Sequence, residues 1–211
     1  MLDIIKDIFF PPTCVICGKV GRWWICPKCK IHLKPELKFF RIKRKKNRIL
    51  FVSFYEGRLR KLLLQFKFQE KSYIGNFFAE VISRNKKFTG YLKEYDYMIP
   101  VPMYKENEKE RGYNQAELIT KEISRRIGIK YTNGCLIKIK PNQKQSRLNE
   151  TQRIEHVQGV YEVQNGDIIK NKKILLVDDI YTTGSTVRAC IRELRKANPK
   201  QIDILVMAKT K

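Results

Sequence analysis

Residues 174–186 read I-L-L-V-D-D-I-Y-T-T-G-S-T and hold the side chains best suited to chemistry. Ile174, Leu175, Leu176 and Val177 form a continuous apolar run, the pattern of a strand buried on both faces of a parallel sheet. Asp178 and Asp179 follow at the strand's carboxyl end, where open α/β sheets keep their ligand crevice. Thr182, Thr183, Gly184, Ser185 and Thr186 then form a small hydroxyl-rich turn into a helix expected over about 186–196. A helix N-terminus offers free backbone N–H groups and about half a positive charge, so it collects phosphate. Gly184 lets the backbone come close to a ligand and permits φ > 0, and the hydroxyls add donors. The two carboxylates repel phosphate, but they accept hydrogen bonds from ribose hydroxyls or stand in the outer shell of Mg²⁺. An acid pair beside such a cradle suits a sugar phosphate. Without a ligand, the same residues are a strand–turn–helix with an N-cap and a solvated acidic pair.

A second constellation lies near the start of the chain. Cys14, Cys17, Cys26 and Cys29 make a C-x2-C-x8-C-x2-C arrangement. Four thiolates from two knuckles can close a tetrahedron around Zn²⁺ at about 2.3 Å per bond. Gly18 and Pro27 suit the tight turns of such knuckles. Two disulfides or four unrelated thiols are the competing readings; the paired spacing argues against coincidence. With four sulfurs no position is left for water, so a zinc ion here is structural, and His32 is left out of the ligand set. Trp23 and Trp24 between the knuckles either cover a small core or stack on nucleobases. Cys135 and Cys190 stand apart and read as small core residues.

The formal net charge is +23, from 44 Lys and Arg against 21 Asp and Glu. Such an excess points to a polyanion, with an anionic membrane surface as the competitor. It is densest in residues 38–48, K-F-F-R-I-K-R-K-K-N-R. There Arg41, Lys43, Arg44, Lys45, Lys46 and Arg48 are either a solvated linker or a phosphate-contacting, salt-sensitive DNA site. No apolar run approaches the roughly 20 residues of a transmembrane helix. Residues 1–10 are apolar at helical spacing but lack a basic start and a small-residue cleavage site, so they read as a short docking helix. The expected location is cytoplasmic, with reduced thiols.

Residues 49–55 read as the first strand of the main domain. Helical patterns follow over 58–69 and 73–84. Residues 95–102, Y-D-Y-M-I-P-V-P, are a strand running into a Pro-stiffened turn. Residues 105–111 carry charge without periodicity and read as a mobile loop. Arg111 can pair bidentately with a pyrophosphate. Asn114 and Gln115 either donate to phosphate or cap an amphipathic helix over about 116–126. Residues 201–208 are a final buried strand.

V-D-D-I-Y-T-T-G-S-T closely resembles the phosphoribosyl pyrophosphate (PRPP) motif of type I phosphoribosyltransferases. That resemblance implies that Asp178 and Asp179, the catalytic pair, hold the ribose hydroxyls of Mg²⁺-bound PRPP. It implies that Thr182, Thr183, Gly184, Ser185 and Thr186 hold the 5′-phosphate, and that Val101, Pro102, Lys105 and Arg111 meet the pyrophosphate. P-V-P, R-G-Y-N-Q-A and the four cysteines narrow the resemblance to the ComF (ComFC-type) competence proteins. A further element of that pattern is matched by Gln145, Leu148, Arg153, Gly159 and Tyr161, with departures at His156, where the family has Asn, and in Tyr161 standing for Phe. The expectations are an α/β fold and a type I phosphoribosyltransferase-like, mostly parallel sheet with helices on both faces. A zinc-finger module over 1–36 and a basic linker over 37–48 precede that domain at 49–211. The implied role is DNA handling in natural transformation, taking up or escorting single-stranded DNA beside other competence proteins such as a helicase-like partner. A working phosphoribosyltransferase with an unspecified acceptor and a PRPP-sensing DNA-binding regulator are the alternatives.

Overall fold

The computed structural model describes residues 13–21, 23–33, 37–44, 46–66, 73–141 and 159–211. The docking helix expected over 1–10, Lys45 and the family element from Gln145 to His156 lie outside these residues.

The framework is a six-stranded sheet in the order β1-β2-β8-β7-β3-β4. The strands are β1 (Phe40–Arg44), β2 (Asn47–Phe54), β3 (Tyr97–Pro100), β4 (Lys130–Tyr131), β7 (Lys173–Tyr181) and β8 (Gln201–Lys209). Every neighbouring pair from β2 to β4 is parallel; only β1 on β2 is antiparallel. The apolar run sits where its pattern requires, between β3 and β8. Leu175 and Val177 turn to one face, Ile174 and Leu176 to the other, and all four are buried.

The first face carries helices α1 (Pro27–Leu33), α2 (Gly57–Gln65), α3 (Tyr73–Arg84), α4 (Lys86–Leu92) and α6 (Gln115–Ile127). The second carries α7 (Ser185–Leu194) and the antiparallel pair β5 (Leu136–Lys138) and β6 (Tyr161–Val163). Crossovers in parallel sheets are right-handed. The β3–α6–β4 and β7–α7–β8 units run in opposite directions from the sheet centre, so their helices take opposite faces. Such a switch point opens a crevice outside the carboxyl ends of two adjacent strands, here β3 and β7.

Three stretches differ from the sequence reading. Residues 105–111 are not a loop but a helix, α5 (Lys105–Arg111). Glu106 and Glu108 lie in its first turn and Lys109 and Arg111 in its last, matching the helix dipole. Gly112 closes it at φ 83°, its N–H donating to the Glu108 carbonyl. No side chain of α5 is buried, so no apolar period announces it. Part of the expected linker is β1, where Phe40 stacks on Phe51 at 4.6 Å while Arg41 and Lys43 stay exposed. Charge on an edge strand discourages pairing with another chain. The cysteine module is also no separate body: Cys14, Ile25, Cys26, Cys29 and Leu33 join the same apolar cluster as Leu63, Phe66 and Phe78. Trp24 stacks on Tyr73 of α3 at 4.6 Å, which favours packing over base stacking for this ring.

Candidate functional site: a crevice at the carboxyl ends of β3 and β7

A cavity of about 430 Å³ opens at the switch point. Val101 and Pro102 line it just past the end of β3, and Asp178 and Asp179 from β7. Thr182 and Thr186 flank the turn into α7, and Arg111 and Asn114 come from the segment before α6.

Local chemistry fixes each wall. The Asp179 N–H donates to Asp178 Oδ1 at 2.9 Å and the Ile180 N–H to Asp179 Oδ1 at 2.7 Å, which orients both carboxylates. Burial, and then the neighbouring Asp179 charge, push the Asp178 carboxyl well above the usual range; Lys138 works against both. Gly184 caps α7 at φ 75° and brings no side chain of its own, and of the first-turn N–H groups the Thr183 hydroxyl accepts only that of Ser185, at 3.4 Å. The first-turn N–H groups, which no intrahelical carbonyl can satisfy, therefore face the turn. Thr183 and Ser185 hydroxyls lie 3.2 Å apart, and Arg188 donates to the Thr183 carbonyl at 2.7 Å, bracing the turn from outside.

The R-G-Y-N-Q stretch braces the opposite wall. Asn114 accepts from the Ala116 N–H at 3.0 Å, capping α6, and donates to the Val101 carbonyl at 3.1 Å, tying that helix to the end of β3. Arg111 donates to Gln115 Oε1 at 2.9 Å, and Gln115 and Tyr113 both donate to the Phe66 carbonyl. The expected role of Asn114 and Gln115 thus resolves toward capping and bracing, while Arg111 is held at the cavity rim.

Among the residues expected to surround PRPP, Val101, Pro102, Arg111, Asp178, Asp179, Thr182 and Thr186 line this one cavity. Thr183, Gly184 and Ser185 form its turn without lining it, and Lys105 stands exposed at the start of α5, away from the lining. Sequence reasoning missed Lys138. It pairs directly across from Tyr161 in the β5–β6 register, so both side chains reach the crevice from the second face. Burial lowers the Lys138 pKa, against the pull of Cys190 and Asp178. A lysine in a three-residue strand carries no spacing signal; only its partner Tyr161 had one.

The four cysteines also converge. Their Sγ atoms all lie within 4.8 Å of one another, with Cys17 and Cys26 at 3.9 Å, and none is in a disulfide. A tetrahedron with 2.3 Å Zn–S bonds has edges of about 3.8 Å, so the set could hold zinc. The Cys26 N–H points at Cys14 Sγ and the Cys29 N–H at Cys26 Sγ, each at 3.4 Å. Burial pushes the Cys14 thiol up, but the backbone N–H groups of Cys26, Cys17 and Ile16 outweigh it and hold it below the usual thiol range, while burial and the neighbouring sulfurs push Cys29 well above it. His32 is exposed and outside the set.

The DNA-contact candidates divide. Lys43 and Lys46 are exposed; Arg41 is exposed too, its guanidinium 4.1 Å above the Tyr91 ring. Arg44 lies in β1. Arg48 is instead a fold residue: its N–H and Nε reach the buried Asp203 at 2.6 and 2.8 Å, and its Nη1 reaches Glu94 at 3.3 Å. That withdraws it from the solvated basic run.

The description of a phosphoribosyl transferase domain matches residues 114–211. The chain is 29% identical to competence protein F of Haemophilus influenzae, over 97% of this chain and 87% of that one. It is 28% identical to competence protein ComFC of Bacillus subtilis, over 87% of this chain and 73% of that one. Similarity to ComF proteins thus runs along most of the chain, and residues 114–211 match a phosphoribosyl transferase domain. The chain is also 23% identical to DNA utilization protein YhgH of Salmonella typhimurium, over 93% of this chain and 90% of that one. The domain match takes in α6, β7, the acid pair and α7, while the cysteine module and β3 lie before it. Among the described residues, no helix is long and apolar enough to cross a membrane.

Proposed function

We propose that this protein binds Mg²⁺–PRPP in the crevice and handles incoming single-stranded DNA during natural transformation, in the cytoplasm. The observation that carries the reading is the convergence of an acid pair, a glycine turn and an open helix start on one cavity of about 430 Å³. It does so in a chain similar to competence protein F along 97% of its length. Asp178 and Asp179 accept hydrogen bonds from the ribose hydroxyls. The Thr182–Thr186 turn and the α7 N–H groups hold the 5′-phosphate. Arg111, positioned by Gln115, and the backbone around Val101 and Pro102 meet the pyrophosphate. Mg²⁺ arriving with PRPP would supply charge neutralisation on the pyrophosphate. Zinc on Cys14, Cys17, Cys26 and Cys29 is structural. The net charge of +23 supports a DNA partner, with Lys43 and Lys46 among its contacts.

One observation favours a second reading, a working phosphoribosyltransferase. Lys138 and Tyr161 wall the crevice beside the acid pair, where an acceptor could approach the sugar's reactive carbon. Pyrophosphate release from Mg²⁺–PRPP by zinc-loaded protein, with and without single-stranded DNA, separates the two. Binding without release supports a ligand pocket on a DNA-handling protein. Release that vanishes in the Asp178→Ala/Asp179→Ala variant supports the enzyme. Release or binding that changes with DNA supports a PRPP-sensing regulator.

A further inference from the structure

The cavity described above lies at the carboxyl ends of the strands. The opposite, amino edge of the same sheet has a composition of its own. A second depression of about 420 Å³ opens there, with Lys93, Lys130 and Lys172 around it and Tyr97 in its wall. The three lysines are exposed and none forms an ion pair with a described residue. They come from three distant parts of the chain: the turn after α4, the first residue of β4 and the residue before β7. Only the strand order brings them together.

The row continues beyond the depression. Lys200 precedes β8, and its N–H donates to the Lys172 carbonyl at 2.9 Å. Lys46 precedes β2, the next strand along. The strand register sets Lys172 level with Lys200, since Lys173 lies opposite Gln201, and places Lys130 level with Ile174, since both lie opposite Tyr97. Four strand spacings of about 4.8 Å separate β2 from β4, so the row runs for about 19 Å. The carboxylates at this edge already have partners within the protein, although Glu94 and Asp96 remain exposed and Asp96 lines the depression. Asp96 accepts the Lys173 N–H at 2.8 Å, Glu94 pairs with Arg48, and Asp203 is buried beneath Arg48 and Tyr95. The lysines face outward, and around the depression three of them stand against the one carboxylate of Asp96.

We propose that this amino edge is a docking surface for single-stranded nucleic acid, on the far side of the sheet from the crevice. The proposal rests on the DNA-handling reading and deepens it. A linear row of lysines follows a phosphodiester backbone, and a recess with a tyrosine in its wall accepts an unstacked base. A duplex keeps its bases stacked and cannot use that recess. A flat anionic bilayer meets a ridge, not a depression. The surface joins Lys46, in the basic run read from the sequence, to lysines that no run contains, and it leaves the crevice free for its own ligand.

The test uses the full, zinc-loaded chain and a fluorescent oligothymidylate of about 20 nucleotides, a length above the roughly 4–16 of known single-strand sites. Anisotropy is followed as salt is raised. The Lys93→Gln/Lys130→Gln/Lys172→Gln variant should bind about tenfold or more weakly near 0.1 M salt and show a log–log salt slope flatter by about 2, at roughly 0.7 per lost contact. Its Mg²⁺–PRPP affinity should match the wild type. A control with Lys61→Gln, Lys109→Gln and Lys121→Gln, exposed lysines on helices away from the edge, should keep most of its DNA affinity. If the wild type binds DNA and the edge variant binds it equally with the same slope, the inference is overturned while the DNA-handling reading stands. Equal losses in edge variant and control reduce the effect to bulk charge and also overturn it. So does a loss seen only with duplex DNA or with phosphatidylglycerol vesicles. A wild type that binds no oligonucleotide removes the DNA-handling reading itself.

Discussion

Replacing Gly184 by alanine probes the phosphate turn with a single methyl group. The backbone there has φ 75°, a conformation that costs an L-residue roughly 1–2 kcal/mol. The added Cβ would stand 2.2 Å from Tyr181 Oη and 2.4 Å from its Cζ, against an ordinary carbon contact of about 3.5–4.0 Å. Either the ring or the turn must therefore move by more than about 1 Å. Tyr181 is 4% exposed and packed in the second-face core with Val187 and Ile204, so it has little room. Overpacking of this kind costs about 1–3 kcal/mol. The sum is about 2–5 kcal/mol, which in a chain of this length lowers Tm by about 5–15 °C. What the turn yields displaces the first N–H groups of α7 from the phosphate position, and an affinity loss of tenfold corresponds to about 1.4 kcal/mol. Calorimetry with Mg²⁺–PRPP should then report at least that tenfold loss, and thermal melting the drop in Tm. Adding Tyr181→Ala to the same chain removes the clash and should restore part of the affinity at a further cost in stability. A Gly184→Ala protein that melts and binds like the wild type would refute the assignment of this turn.

Three further outcomes follow from particular contacts. Asp178 has a raised pKa, so its carboxylate destabilises the folded state increasingly as pH rises from the ordinary aspartate range through that raised value. Asp178→Asn should therefore melt higher than the wild type at neutral pH, converge with it in acid, and still bind Mg²⁺–PRPP more weakly; an unchanged neutral Tm would remove the electrostatic argument. Cys26→Ser should release zinc, measured by metal analysis, and expose the region around the first 35 residues to protease, since Ile25 and Leu33 share the first-face core; full zinc retention would contradict the four-sulfur site. Arg48→Ala strips a buried carboxylate of its charged partner and should cost about 3 kcal/mol in urea unfolding, with little change in the salt slope of DNA binding; a flattened slope would return Arg48 to the DNA contacts.

The central motif was legible because its parts obey separate rules that agree. An unbroken apolar run needs a sheet on both sides and layers on both faces, and β7 has them. The acid pair and the glycine turn then fall where the strand ends. What the sequence hid was either wholly exposed or wholly tertiary. Helix α5 buries nothing, so only its end charges and Gly112 mark it. Strand β1 alternates Phe40, Ile42 against Arg41, Lys43, a period of two masked by charge. The part of Arg48 is set by Asp203, 155 residues away, and that of Lys138 by its register against Tyr161. The shared core of the cysteine module and α3 likewise depends on contacts such as Trp24 on Tyr73 that no local pattern encodes.

The most direct test of the account is calorimetric titration of zinc-loaded protein with Mg²⁺–PRPP, repeated with the Asp178→Ala/Asp179→Ala variant. The account predicts saturable binding by the wild type and a loss of at least about tenfold in the variant, or some 1.4 kcal/mol. No binding by the wild type, or equal affinity in the variant, would contradict it.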